Sequence, residues 1–171
     1  MISFQIKDVK NCMAKLLASD TFDSFQLVEA TITTYNTFII DGHLVKEFFN
    51  DVHADEDDQE SALRDMGYSN WSDMRTLCFD LIKGKKTPVN FKFILQSNPA
   101  TVTSLLQNGG SSITPTQLKA FILNVKYENG NLHLITAVSY QTFLLDKSAD
   151  AIWDTAIKDF LTKHRIDFDC L

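Results

Sequence analysis

The chain has 171 residues, 44% of them hydrophobic, with 16 Lys and Arg against 22 Asp and Glu and a net charge of −6. That length suffices to bury a real core, and the acidic balance excludes a protein that coats nucleic acid by electrostatics, which needs a basic footprint. No apolar run approaches the roughly 20 residues needed to span a bilayer, and the opening MISFQIKDVK lacks the long apolar stretch of a signal peptide, so the expected location is the cytoplasm.

Ile2, Phe4 and Ile6 alternate with polar residues, as in a strand. Asp8 then suits the N-cap of a helix whose apolar stripe is Val9, Cys12, Met13, Leu16 and Leu17. From Phe25 to Ile40 the residues favour a pleated surface, but the run is too long for one ordinary strand, which predicts a bend near Tyr35-Asn36. Asp41-Gly42 closes it, and His43 to Phe49 reads as a helical turn. Between Asn50 and Glu60, acidic residues cluster with no Lys or Arg, the pattern of a solvated loop.

A helix follows, capped by Ser69 or Asn70 and striped by Trp71, Met74, Cys78, Leu81 and Ile82; Lys83-Gly84-Lys85-Lys86 ends it. Val89, Phe91, Phe93 and Leu95 predict a strand. Asn98 and Pro99 start the next helix, and Gly109-Gly110 ends it. Phe121, Leu123, Val125 and Tyr127 alternate up to Asn129-Gly130, a strong hairpin signal, and the return strand is expected from Leu132 through Phe143. Ser148 is placed to cap a final helix striped by Ile152, Trp153, Ala156, Ile157, Phe160 and Leu161. Cys12, Cys78 and Cys170 are odd in number and widely spaced, as free thiols in a reducing compartment are.

Two segments, QLVEATITTYNTFIID at 26–41 and NLHLITAVSYQTFLLD at 131–146, resemble one another. Leu27, Thr31, Tyr35, Thr37, Phe38 and Asp41 recur as Leu132, Thr136, Tyr140, Thr142, Phe143 and Asp146. The flanking elements recur in the same order, so the expectation is one domain over 1–171 with two similar halves, 1–88 and 89–171. Residues 43–66 then form an acidic insertion present in one half only. The expected fold is α+β: a mainly antiparallel sheet packed by about four helices, in two strand-helix-strands-helix halves.

No nucleophile elbow, phosphate-binding glycine loop, zinc-protease helix or dinucleotide fingerprint is present, and no catalytic residue or cofactor is expected. Asp41, His43, Asp51, His53 and Asp55 offer oxygen and imidazole ligands to a divalent metal; a solvated acidic loop is the plainer reading. Tyr35 and Tyr140, related by the repeat, and the basic cluster Lys83, Lys85 and Lys86 are the candidates for partner contact. Packing and helix-end solvation are their plainer roles.

The runs VEATITTYNTFIIDGHLVKEFF and CFDLIKGKKTPVNFKF, with FLLDKSADAIWD and IKDFL near the end, resemble an uncharacterised bacterial family of unknown function over nearly the whole chain. That resemblance carries no activity or functional residue. The stretch VNFKFILQSNPATVTSLLQ with KAFILNVKYENGNLHLITAVSYQTF looks like a half-domain of a sliding DNA clamp. It implies a duplicated domain acting on DNA, although the first half lacks an Asn-Gly hairpin and the basic inner face is incomplete. The expected function is a non-enzymatic binding or interaction module with a protein partner, no membrane contact and little call for nucleic acid. The alternatives are a small metal-dependent hydrolase built on the acidic insertion and a clamp-like DNA-associated protein.

Overall fold

The computed structural model describes residues 1–49 and 67–171. Among them the chain runs β1 (Ser3–Ile6), α1 (Val9–Leu17), β2 (Phe25–Thr33), β3 (Thr37–Asp41), a 3-10 turn (Lys46–Phe49), β4 (Ser69–Asn70), α2 (Trp71–Ile82), β5 (Asn90–Ser97), α3 (Pro99–Asn108), β6 (Leu118–Glu128), β7 (Asn131–Tyr140), α4 (Ser148–Lys163) and β8 (Phe168–Cys170). The strands form one antiparallel sheet ordered β3-β2-β5-β6-β7-β1-β8, and β4 shares an edge of β2 with β3. With four helices among the described residues, the fold is α+β, as the periodicities predict.

Local chemistry accounts for most boundaries. Asp8 accepts the Asn11 N–H at 2.9 Å and starts α1; Asn98 accepts the Thr101 N–H at 2.8 Å, with Pro99 following, and starts α3. Asn129 and Gly130 take φ of 52° and 79°, the paired left-handed residues that match a two-residue turn to the strand twist of the β6–β7 hairpin. The expected bend at Tyr35-Asn36 is the reversal between β2 and β3.

Several expectations need correction. Asn70 is the N-cap residue of α2, as expected, but its side chain makes no capping hydrogen bond. The backbones of Ser69 and Asn70 pair with Leu27 and Gln26 as β4, so the helix springs directly from the sheet edge. Ser148 is the first residue of α4 rather than its cap; the Asp146 carboxylate accepts the Ser148 N–H at 2.8 Å. The return strand stops at Tyr140, not Phe143: its partner β6 begins at Leu118, opposite Tyr140, and after a last bond from Gln141 N to Gln117 O at 2.9 Å the chain turns towards α4. Strand β8 was not foreseen; it pairs with β1 and sets Phe168 edge-on against Phe4, ring centroids 5.1 Å apart.

One face of the sheet is covered. Phe91, Phe93 and Leu95 of β5, Phe121, Leu123 and Val125 of β6, and Leu132 and Leu134 of β7 are all buried. The apolar stripes of the four helices close over the same cluster. Each ring of this size contributes about 1.5–3 kcal/mol on burial. Both tryptophans bury their rings and satisfy their one polar atom: Trp71 Nε1 donates to Leu16 O at 2.9 Å, and Trp153 Nε1 donates to Ile122 O at 2.8 Å. Trp153 also stacks on Phe121, 5.0 Å between centroids. Cys12 and Cys78 lie in this interior, where burial pushes both thiols up to about 12, and Cys170 is exposed. The opposite face carries a polar cross-strand row, Thr31, Lys92, Lys126, His133 and Gln5.

The two similar segments do not adopt the same structure. Residues 26–41 make the β2–β3 hairpin, whereas 131–146 make β7 and the loop into α4. Thr31 faces the polar row, while Thr136 is fully buried and donates to Asp154. A register shift between Leu27 and Glu29 in β2 moves the later side chains to the other face.

Gly42 makes the edge of β2 continuous. Its N–H donates to Val28 O at 2.9 Å and its carbonyl accepts from Ser69 N at 2.8 Å, so it hands the edge from β3 to β4. A Cβ here would stand 1.9 Å from the Leu27 carbonyl oxygen. Backbone cannot swing aside as a side chain can. Gly42→Ala is therefore expected to cost about 3 kcal/mol, whereas Gly84→Ala, where a Cβ meets nothing within 4 Å, stays within about 0.5 kcal/mol. Urea unfolding midpoints of the two variants check this; equal midpoints would remove the steric account.

Candidate functional site

The β2–β3 turn is held by short polar contacts. Thr34 N donates to Asn36 O at 2.9 Å, and the hydroxyls of Thr33 and Thr37 lie 3.1 Å apart. Tyr35 is thereby pushed outward, 87% exposed, with Phe38 edge-on at 6.1 Å. The loop after α2 arrives beside it because Val89 N donates to Thr33 O at 2.9 Å just before β5 begins. The result is a cleft of about 480 Å³ between the hairpin tip and the α2–β5 loop, lined by Tyr35, Lys83, Lys85, Lys86, Ile82 and Val89 among others.

Four of the five partner-contact candidates thus meet in one place. Lys83 is partly committed: its Nζ lies 2.7 Å from Asp80 Oδ1 and 5.8 Å from the Phe79 ring centroid. Lys85 and Lys86 have no ion-pair partner among the described residues. The Thr34 hydroxyl, also in the lining, is buried without a hydrogen-bond partner among the described residues. The cleft therefore offers two uncommitted ammonium groups, an exposed phenol and an apolar strip from Leu81, Ile82 and Val89.

Tyr140 stands apart from this cleft, at the end of β7. Its hydroxyl donates to Asp150 Oδ2 at 2.6 Å, and Lys147 Nζ lies 5.2 Å over its ring. Burial, then the Asp150 carboxylate, pushes the phenol well above its ordinary range. This tyrosine ties β7 to α4. Of the metal-ligand candidates, Asp41 and His43 are in contact, Nδ1 to Oδ1 at 2.6 Å. Asp51, His53 and Asp55, like most of the acidic insertion, lie outside the described residues. Among the described residues no group of three or more His, Cys, Asp or Glu is placed to hold a metal ion.

Asp41 and Asp146, which the repeat aligns, share a local role. Each accepts the backbone N–H two residues on: His43 at 2.9 Å and Ser148 at 2.8 Å. These backbone bonds, followed by side-chain bonds, hold both carboxyls below their ordinary range. The sequence offered no sign that the hairpin tip and the lysine loop meet, because the ladder between β2 and β5 brings together residues more than fifty positions apart. Nor did it single out Gln26 and Ser97, two of the buried polar side chains, set among strand hydrophobics.

The Asp41 pair gives a pH expectation. A carboxyl depressed in the folded state stabilises above its unfolded pKa, and that contribution is lost as pH falls through the folded value. In a carboxyl-detected NMR titration, Asp41 should have a midpoint below the ordinary aspartate range. His43→Ala should raise the midpoint only part-way, since the backbone bond survives; an unchanged midpoint would exclude the ring as a contributor.

No curated protein and no solved structure matches the chain. A family model does match, over residues 15–169, and it is described as a family of unknown function, DUF5721. The match spans all the strands from β2 to β7 and both walls of the cleft, and the chain belongs to that family.

Proposed function

We propose that the protein is a non-enzymatic, cytoplasmic binding module that holds an acidic segment of a partner protein in the cleft between the β2–β3 hairpin and the α2–β5 loop. The observation that carries this reading is the convergence of Tyr35, Lys83, Lys85 and Lys86 on one cavity of about 480 Å³. Charge complementarity chooses the occupant. Lys85 and Lys86 bring uncommitted positive charge to a chain whose net charge is −6, so the attraction is local. A long polyanion would meet repulsion elsewhere, whereas a short acidic segment would feel mainly the cleft. Tyr35 supplies a rigid amphipathic ring of the kind that anchors protein contacts, and Leu81, Ile82 and Val89 accept an apolar side chain beside the acidic ones. Among the described residues, no helix is long and apolar enough to cross a membrane.

Fluorescence anisotropy with a labelled peptide of Asp and Glu around a single Leu tests this. The expected result is saturable binding that weakens with salt and falls by about tenfold or more in the Lys85→Glu/Lys86→Glu double variant. Tyr35→Ala should weaken binding several-fold, on the order of 1 kcal/mol, without altering the salt slope. Circular dichroism verifies that both variants fold. Affinity unchanged by charge reversal would refute the site. Tighter binding of a single-stranded oligonucleotide of equal charge would replace the protein partner by nucleic acid.

A further inference from the structure

The β2–β5 register sets Phe25 opposite Ser97, so the Ser97 side chain follows Phe91, Phe93 and Leu95 on the core face of β5. Ser97 is the last residue of that strand and only 4% exposed. Its hydroxyl is buried without a hydrogen-bond partner among the described residues. Beside it lies a cavity of about 180 Å³, walled chiefly by Phe25, Trp153, Ile157 and Phe160. The Phe25 ring stands edge-on to both neighbouring rings, to Trp153 at 6.3 Å and to Phe160 at 5.8 Å. Leu105 of α3 and Ala156 of α4, both half-buried, line this cavity and also a more open groove between the two helices. That groove gives a small molecule its way in.

Native interiors seldom leave a buried polar group unsatisfied. A held water needs two to four polar partners, and this space offers few besides Ser97. Trp153 has already given its Nε1–H to Ile122 O, and the other polar side chains of the lining, Ser24 and Thr101, are exposed and half-buried. Among the described residues no Lys, Arg, His, Asp or Glu lines the cavity, and α3, which forms one side, carries no charge along its length. A charged ligand would therefore lose its hydration without compensation. The rings favour an aromatic occupant, which can meet them edge-to-face or offset. The size agrees, since an apolar cavity of about 150 Å³ takes up benzene. One hydroxyl, able to donate or accept, asks for one polar atom on the ligand. We propose that this cavity binds a small neutral single-ring aromatic alcohol, its ring among Phe25, Trp153 and Phe160 and its hydroxyl bonded to Ser97 Oγ.

This site is independent of the lysine cleft and stands or falls separately. The full-length protein, labelled with ¹⁵N, is titrated with phenol, toluene, cyclohexanol and benzoate while the backbone amide signals of Phe25 and Ala156 are followed. Phenol is expected to move them saturably, with benzoate at least tenfold weaker for want of a cation. Ser97→Ala should weaken phenol by about fivefold, the loss of one neutral hydrogen bond, and leave toluene unchanged. Without ligand, Ser97→Ala should melt no lower than the wild type, because it removes an unsatisfied group. Ala156→Leu, which fills the space, should abolish the response to phenol and toluene alike; if that variant does not fold, Ser97→Ala with the two ligands still decides. No saturable shift up to about 10 mM phenol, or equal phenol affinity in Ser97→Ala, would overturn the proposal. So would a lower melting temperature of unliganded Ser97→Ala, which would show the hydroxyl already bonded. Benzoate or cyclohexanol binding as tightly as phenol would overturn the neutral or the aromatic requirement respectively.

Discussion

Strand β5 is the constraint on which the architecture depends. It lies between β2 and β6, and its backbone is hydrogen-bonded on both sides. Its inward residues Phe91 and Phe93 sit at the centre of the aromatic core, Phe91 stacked on Tyr127 and Phe93 against Trp71. Because β2 and β5 run antiparallel, each end of this pair brings distant parts of the chain together. At one end, Thr33 and Val89 draw the hairpin tip to the lysine loop. At the other, Phe25 meets Ser97 beside the start of α3. Both cavities follow from one ladder.

The helices serve this ladder more than they define it. Trp71 and Trp153 each reach a backbone carbonyl through the core, so each helix is held in rotation as well as by apolar burial. The paired Arg75 and Asp23, at 2.9 and 3.3 Å, tether α2 to the loop that precedes β2. The exposed sheet face, with its row of Thr31, Lys92, Lys126, His133 and Gln5, is polar enough to stay in water, which an antiparallel sheet permits.

Much of the fold was legible because it rests on local rules. Period-two alternation marked β5 and β6, Asn129-Gly130 marked their neighbouring hairpin, and Asn98-Pro99 marked the start of α3. Those signals act within a few residues, so they can be read along the chain. The failures share a different cause. Asn70 stands at the N-cap of α2, but the backbones of Ser69 and Asn70 pair with the edge of β2 and no side-chain cap forms. Strand β8 is three residues long and owes its form to β1. The length of β7 was set by where β6 starts.

The site divides in the same way. The residue types of the lysine cleft were visible in the text of the chain: a cluster of Lys83, Lys85 and Lys86 after a helix, and a tyrosine in a turn-like run. That these meet, while Tyr140 goes to Asp150 instead, follows from the pairing of β2 with β5 and of β7 with β6. Gln26 and Ser97 looked like ordinary strand residues, and only their burial without partners sets them apart. By itself the sequence determined the element types, the helix starts, the core faces and the acidic balance, all of which come from propensity and period. The order of strands, the register shift in β2 and the two cavities were decided by tertiary structure, because they depend on hydrogen bonds and contacts between residues far apart in the chain.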